Sequence, residues 1–102
     1  MADNSYKFVF LNELNSLPDG KYFSYGVCKG YEGEKISVED PVNNIAVSMD
    51  SIFKADRNKP LKIFFTKEKD SYNVIMLKTI EIDLELFKRF LKIYYKWGRK
   101  YV

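Results

Sequence analysis

Apolar and polar positions alternate along most of this chain. In residues 21–29, Phe23, Tyr25 and Val27 fall on one face of an extended segment, and Tyr22, Ser24, Gly26 and Cys28 on the other. Gly30-Tyr31-Glu32-Gly33 reads as a hairpin loop, and residues 35–38 as the returning strand. A second turn, residues 39–44, precedes a strand at 45–47. The same reading gives strands at 61–66, 72–77 and 80–82, with a turn at 67–70. Residues 6–10 have strand character. Leu11, Leu14 and Leu17 then recur every third position, which suits a short helix before the Pro18-Asp19-Gly20 turn.

Two junctions look alike. Residues 45–52 and 80–87 each run from a short alternating strand to a polar residue and then to apolar positions. Ser48 and Asp83 are placed as N-caps, whose side-chain oxygens accept from unpaired backbone N–H groups, and Asp50 favours the first turn of the first helix. Pro60 ends that helix, because proline disfavours helical geometry at the residue before it. The hairpins also align, with Phe23, Tyr25, Val27 and Lys29 matching Leu61, Ile63, Phe65 and Lys67. The pattern predicts an α+β fold: two similar motifs of antiparallel strands followed by a helix, packed as one domain over residues 1–102. Motif one covers 20–58, motif two covers 59–102, and residues 1–19 form an N-terminal segment. A groove is expected between the motifs.

The last helix, expected over residues 84–101, departs from the first. At about 100° per residue, its apolar residues Leu86, Phe87, Phe90, Leu91, Ile93, Tyr94, Tyr95, Trp97 and Tyr101 span an arc of about 200°. A helix lying on a sheet needs a stripe only somewhat wider than about 100°. The surplus edge, Leu86, Phe90, Ile93 and Trp97, is therefore expected to meet a partner, since burying each large side chain contributes about 1.5–3 kcal/mol. Gly98 is a candidate terminator.

Charge changes the picture by being uneven. Residues 1–58 carry 6 bases and 9 acids, and residues 59–102 carry 11 bases and 5 acids, so the net +3 divides as −3 and +6. Lys88, Arg89, Lys92 and Lys96 on the polar face of the last helix are candidate anion contacts. Aromatics at 17% and charged residues at 30% fit an ordered domain, not a disordered one.

Several chemistries lose support. There is no His, which removes the commonest general base and metal ligand, and Cys28 is the single cysteine, so no internal disulfide or zinc framework can form. No phosphate-cradling glycine loop, nucleophile elbow or calcium loop occurs. No catalytic, cofactor or metal residues are assigned, and the chain is read as a non-enzyme. Without an apolar run of about 18 residues or a signal-like start, it is expected to be intracellular and cytoplasmic, with no membrane partner.

Val47-Ser48-Met49 and Ile82-Asp83-Leu84 resemble the strand-to-helix junctions of Pur-type and Whirly-type single-strand-binding folds. The length, the wealth of Tyr, Phe, Ile and Lys and the lack of His also resemble small proteins of filamentous viruses that infect hyperthermophilic archaea. That resemblance implies a viral accessory protein in the host cytoplasm. The leading expectation is an interaction module that binds a protein or peptide partner in the inter-motif groove. The alternative is single-stranded nucleic-acid binding through the basic face of the last helix. A third is a homodimer that buries Phe90 and Trp97.

Overall fold

The computed structural model describes residues 5–97. In chain order it contains β1 (Lys7–Phe8), a 3-10 helix (Leu11–Ser16), β2 (Gly20–Glu32), β3 (Lys35–Asp40), β4 (Ile45–Asp50), β5 (Pro60–Glu68), β6 (Ser71–Thr79) and α1 (Leu84–Trp97). The sheet order is β1-β2-β3-β4-β6-β5, and β2 also pairs with β5, so five strands close into a barrel. The closing contact between β4 and β6 is parallel and rests on one pair, Asp50↔Asn73. Five strands joined with this order form the oligonucleotide/oligosaccharide-binding (OB) barrel.

Closure depends on the length of β2. Its first half pairs with β5 from Gly20↔Lys67 to Val27↔Pro60, and its second half pairs with β3 from Val27↔Glu39 to Glu32↔Lys35. The register shifts between Cys28 and Gly30, where Gly30 adopts φ 147°, so a bulge bends the strand from one neighbour to the other. The alternation identified two faces of β2 without saying which is internal. The small face goes inside, with Ser24, Gly26 and Cys28 buried. The barrel is narrow there: a Cβ on Gly26 would lie 2.4 Å from Val38 Cγ1.

The barrel core comprises Leu11, Leu14, Tyr22, Cys28, Ile36, Val38, Met49, Leu61, Ile63, Phe65 and Val74, with Val9 beside them. Three-residue leucine spacing suits a 3-10 helix, which has three residues per turn, and Leu11 and Leu14 both point into this core. Lys67, itself buried, donates to Leu14 O (3.0 Å) and Leu17 O (2.6 Å), which fixes the helix against the barrel end.

The two-motif architecture is overturned. Strands of both halves interleave in one sheet, so there is no internal repeat and no inter-motif groove. Residues 45–50 continue as a strand through Ser48, paired with β3 from Asp40↔Ile45 to Lys35↔Asp50, and no helix follows. The turn-forming oxygen is Ser51, whose Oγ accepts from Phe53 N (2.9 Å). A strand that finds a full ladder partner outweighs the weak local preference of a serine for a cap. Residues 80–82 are likewise not a strand. The Pur- and Whirly-type strand-to-helix junctions fall at both sites with these assignments; what stands at the second is the cap alone, Asp83 Oδ1 accepting from Glu85 N (3.1 Å) at the start of α1. The expected continuation of the helix over 98–101, with Gly98 as terminator, lies outside the described residues.

Candidate interaction surface

α1 is held on the barrel by one face. Phe87 and Leu91 are buried against Val27, with Tyr25, Val42, Ile80 and Leu84 around them. Near its end, Tyr95 stacks on Phe10 at 4.1 Å between centroids and donates its hydroxyl to the Asp40 carboxylate. Asp40 is buried and also accepts from Val42 N (2.9 Å), Asn43 N (3.3 Å) and Asn43 Nδ2 (3.0 Å). Burial, then the bond to Asp40 and its charge, push the Tyr95 hydroxyl well above the usual phenol range, because ionising it would set two negative charges together. Burial also raises Tyr25, with the neighbouring Tyr94 adding to it.

The opposite edge of α1 is partly exposed, with Phe90 edge-on to Tyr25 at 5.7 Å between centroids. Leu86 is 52% exposed, Phe90 39%, Ile93 59% and Trp97 45%, so the four side chains named from the helical arc are solvent-facing. The structure adds a wall the sequence reading did not name. Ile80 and Ile82, from the loop before α1, together with Tyr25, Lys62 and Lys78, bound a groove of about 800 Å³ with Leu86, Phe90 and Ile93. Alternation puts Tyr25 on one face of β2 with Phe23 but does not say that this face is the outer one. Lys62 and Lys78 were not extractable, since their proximity depends on β5–β6 pairing.

The four helix bases do not form one site. Lys88 Nζ lies 3.7 Å from Glu85 Oε2, Arg89 lines the groove, Lys92 faces solvent and Lys96 Nζ is 5.7 Å from the Trp97 ring centroid. The usual OB binding face, the outside of β3 and β4, has little to grip a nucleic acid. Its outward residues on β3 are Lys35, Ser37 and Glu39, and those on β4 are Ala46, Ser48 and Asp50. Lys35 is paired with Asp50 at 2.7 Å and Glu39 with Lys29 at 3.8 Å. No aromatic ring stands among them.

No protein-family model and no curated protein sequence matches the chain. Solved structures do. One is a chain of the S. pombe Stn1-Ten1 complex, with TM-score 0.69, 20% identity, and coverage of 93% of this chain and 96% of that one. Another is the telomere capping protein Ten1 from S. pombe, with TM-score 0.68, 21% identity, and coverage of 90% and 99%. The shared fold is an OB barrel. At this identity the likeness extends to the fold alone, but it corrects the resemblance to viral proteins of hyperthermophilic archaea. A composition rich in Tyr, Phe, Ile and Lys is what a small barrel with an aromatic outer face requires, and it carries no lineage. Among the described residues, no helix is long and apolar enough to cross a membrane.

Proposed function

We propose that the protein is a non-enzymatic OB subunit that docks a protein partner along the exposed edge of α1, in an assembly of the telomere-capping kind. The observation that carries this is the line of Leu86, Phe90, Ile93 and Trp97, which continues into the apolar groove walled by Ile80 and Ile82. Exposed apolar groups in one contiguous strip favour association over solvent. A structural neighbour was crystallised as the Stn1-Ten1 complex, which supports a protein partner of the Stn1 type for this chain as well. The buried carboxylate, Asp40, is surrounded by hydrogen-bond donors that fix the end of α1, so it supports a structural role and not acid–base work.

The test is co-expression with the Stn1-like protein of the same organism, followed by size exclusion and light scattering. A one-to-one complex is expected, and Phe90→Asp or Ile93→Asp should each weaken it about 30-fold or more, as central interface residues do. A homodimer that buries Phe90 in place of a hetero-complex would overturn the reading.

A second reading, single-stranded nucleic-acid binding, is favoured by where the basic second half of the chain lands: on the outer side of β5, β6 and α1, where Lys62 and Lys78 make no ion pair among the described residues. Affinity for a labelled oligonucleotide should fall steeply with salt. Absence of binding at about 50 mM salt would remove it.

A further inference from the structure

The outer face of β2, β5 and β6 is organised in three rows set by strand register: Lys21–Thr66–Asn73, then Phe23–Phe64–Met76, then Tyr25–Lys62–Lys78. Rows two residues apart stand about 6.8 Å apart, so a chain crossing them meets an ammonium, a pair of rings and a pair of ammoniums in turn. None of the nine positions is acidic. Lys62 and Lys78 are direct cross-strand partners, an arrangement that repels in the free protein, and neither has a carboxylate within ion-pair distance among the described residues. Lys62 Nζ instead sits 4.6 Å from the Phe23 ring centroid and 5.1 Å from that of Phe64. Tyr6 extends the ring row, edge-on to Phe64 at 5.5 Å, with Lys21 Nζ 5.9 Å from its centroid. These rings are part-exposed, unlike the phenylalanines of the core.

We infer that this face, and not the customary β3–β4 face, is a binding site for single-stranded nucleic acid: Lys62 and Lys78 clamp a phosphate between them, and Phe23 and Phe64 carry stacked bases. The inference rests on the nucleic-acid reading above and gives it an address. Charge decides in its favour. On the β3–β4 face Lys35 is already paired with Asp50 and Glu39 with Lys29 of β2, whereas Lys62 and Lys78 are cross-strand neighbours of like charge with no carboxylate in ion-pair distance among the described residues. Stacking on aromatic faces with ammonium groups between them is the arrangement that holds single strands without regard to sequence.

The test is fluorescence anisotropy with a labelled mixed-sequence oligodeoxynucleotide of about 12 residues, matched to the span of one OB fold, at several salt concentrations. Lys62→Glu/Lys78→Glu should weaken binding at least tenfold and reduce the slope of log affinity against log salt by about 0.7, the share of the one phosphate the pair holds. Phe23→Leu/Phe64→Leu keeps the face apolar and should weaken binding by about 5- to 100-fold with the slope unchanged, since stacking is lost and no phosphate contact is. Both variants are checked by thermal melting, and the surface lysine pair answers the question even if the phenylalanine pair melts early. Wild-type affinity in the lysine variant, together with a collapse in Lys29→Glu/Lys35→Glu beside the β3–β4 face, would overturn this location and leave the nucleic-acid reading standing. No binding by the wild type would end that reading itself. Loss of the Stn1-like partner with oligonucleotide affinity intact would reassign the face to protein contact.

Discussion

Replacing Tyr95 with Phe removes one oxygen from the latch between α1 and the β3–β4 turn. The ring keeps its 4.1 Å stack on Phe10, so packing is conserved and the change isolates the hydroxyl bond to Asp40. A hydrogen bond to a charged, buried acceptor contributes about 1.5–3 kcal/mol, and Asp40 retains its donors from Val42 and Asn43, which places the expected loss near the lower half of that range, about 2 kcal/mol. For a domain of about 100 residues this lowers Tm by roughly 8–16 °C. The assay is urea unfolding at pH 7, followed by two-state analysis. pH supplies a second signature. The Tyr95 hydroxyl is held above its unfolded value of 10.0, so the folded state keeps a proton that the unfolded chain gives up. Its contribution is complete below pH 10 and is lost as pH rises toward the folded pKa, at up to about 1.4 kcal/mol per pH unit. Solvent reaching the ring edge reduces this, so the comparison belongs just above pH 10. Tyr25, Tyr31 and Tyr72 are raised as well, and Tyr95→Phe should therefore remove about one proton's share of the alkaline slope without abolishing it. A variant that unfolds within about 0.5 kcal/mol of wild type at pH 7 and keeps the full alkaline slope would refute the latch.

Other substitutions test the packing. Gly26→Ala forces a Cβ against Val38 Cγ1 at 2.4 Å and Glu39 O at 3.0 Å, and should cost about 1–3 kcal/mol, read as a drop in Tm. Lys67→Met leaves the carbonyls of Leu14 and Leu17 without their buried donor; a loss of about 1–3 kcal/mol is expected, with faster hydrogen exchange in the 3-10 helix as the local readout. On α1 the two faces should separate: Phe87→Ala costs about 3–5 kcal/mol, whereas Leu86→Ala stays within about 0.5 kcal/mol in urea unfolding of the monomer.

Local structure was legible where local rules govern it. Alternation marked the strands at 21–29, 35–38, 61–66 and 72–77, three-residue spacing marked a short helix without giving its 3-10 type, and the arc of α1 picked out Leu86, Phe90, Ile93 and Trp97, which are partly exposed although Phe90 also touches Tyr25. Pairing was not legible. Serine before an apolar residue is a cap signal at Ser48, but β3 supplies a six-residue ladder that carries the strand past it. The barrel follows from β2 meeting β5 and β4 meeting β6, and neither contact leaves a trace within a window of neighbouring residues. Lys62 and Lys78 were invisible for the same reason: they face each other only once β5 and β6 are in register.

β2 also bears on how the chain reaches this state. It is the strand through which both halves of the barrel are joined, with β3 ladders whose partners are near in sequence and β5 ladders in which Gly20 must find Lys67. The β2–β3–β4 meander can form early from short loops, yet its β2 edge stays open until a segment some 40 residues downstream arrives. Loop-closure entropy is spent before those contacts repay it, so folding should be slow for the size of the domain and limited by the β2–β5 docking. While it waits, that edge presents unpaired backbone and the row of Phe23 and Tyr25 to any other chain. A nascent copy is therefore most prone to aggregate between the synthesis of β4 and the arrival of β5.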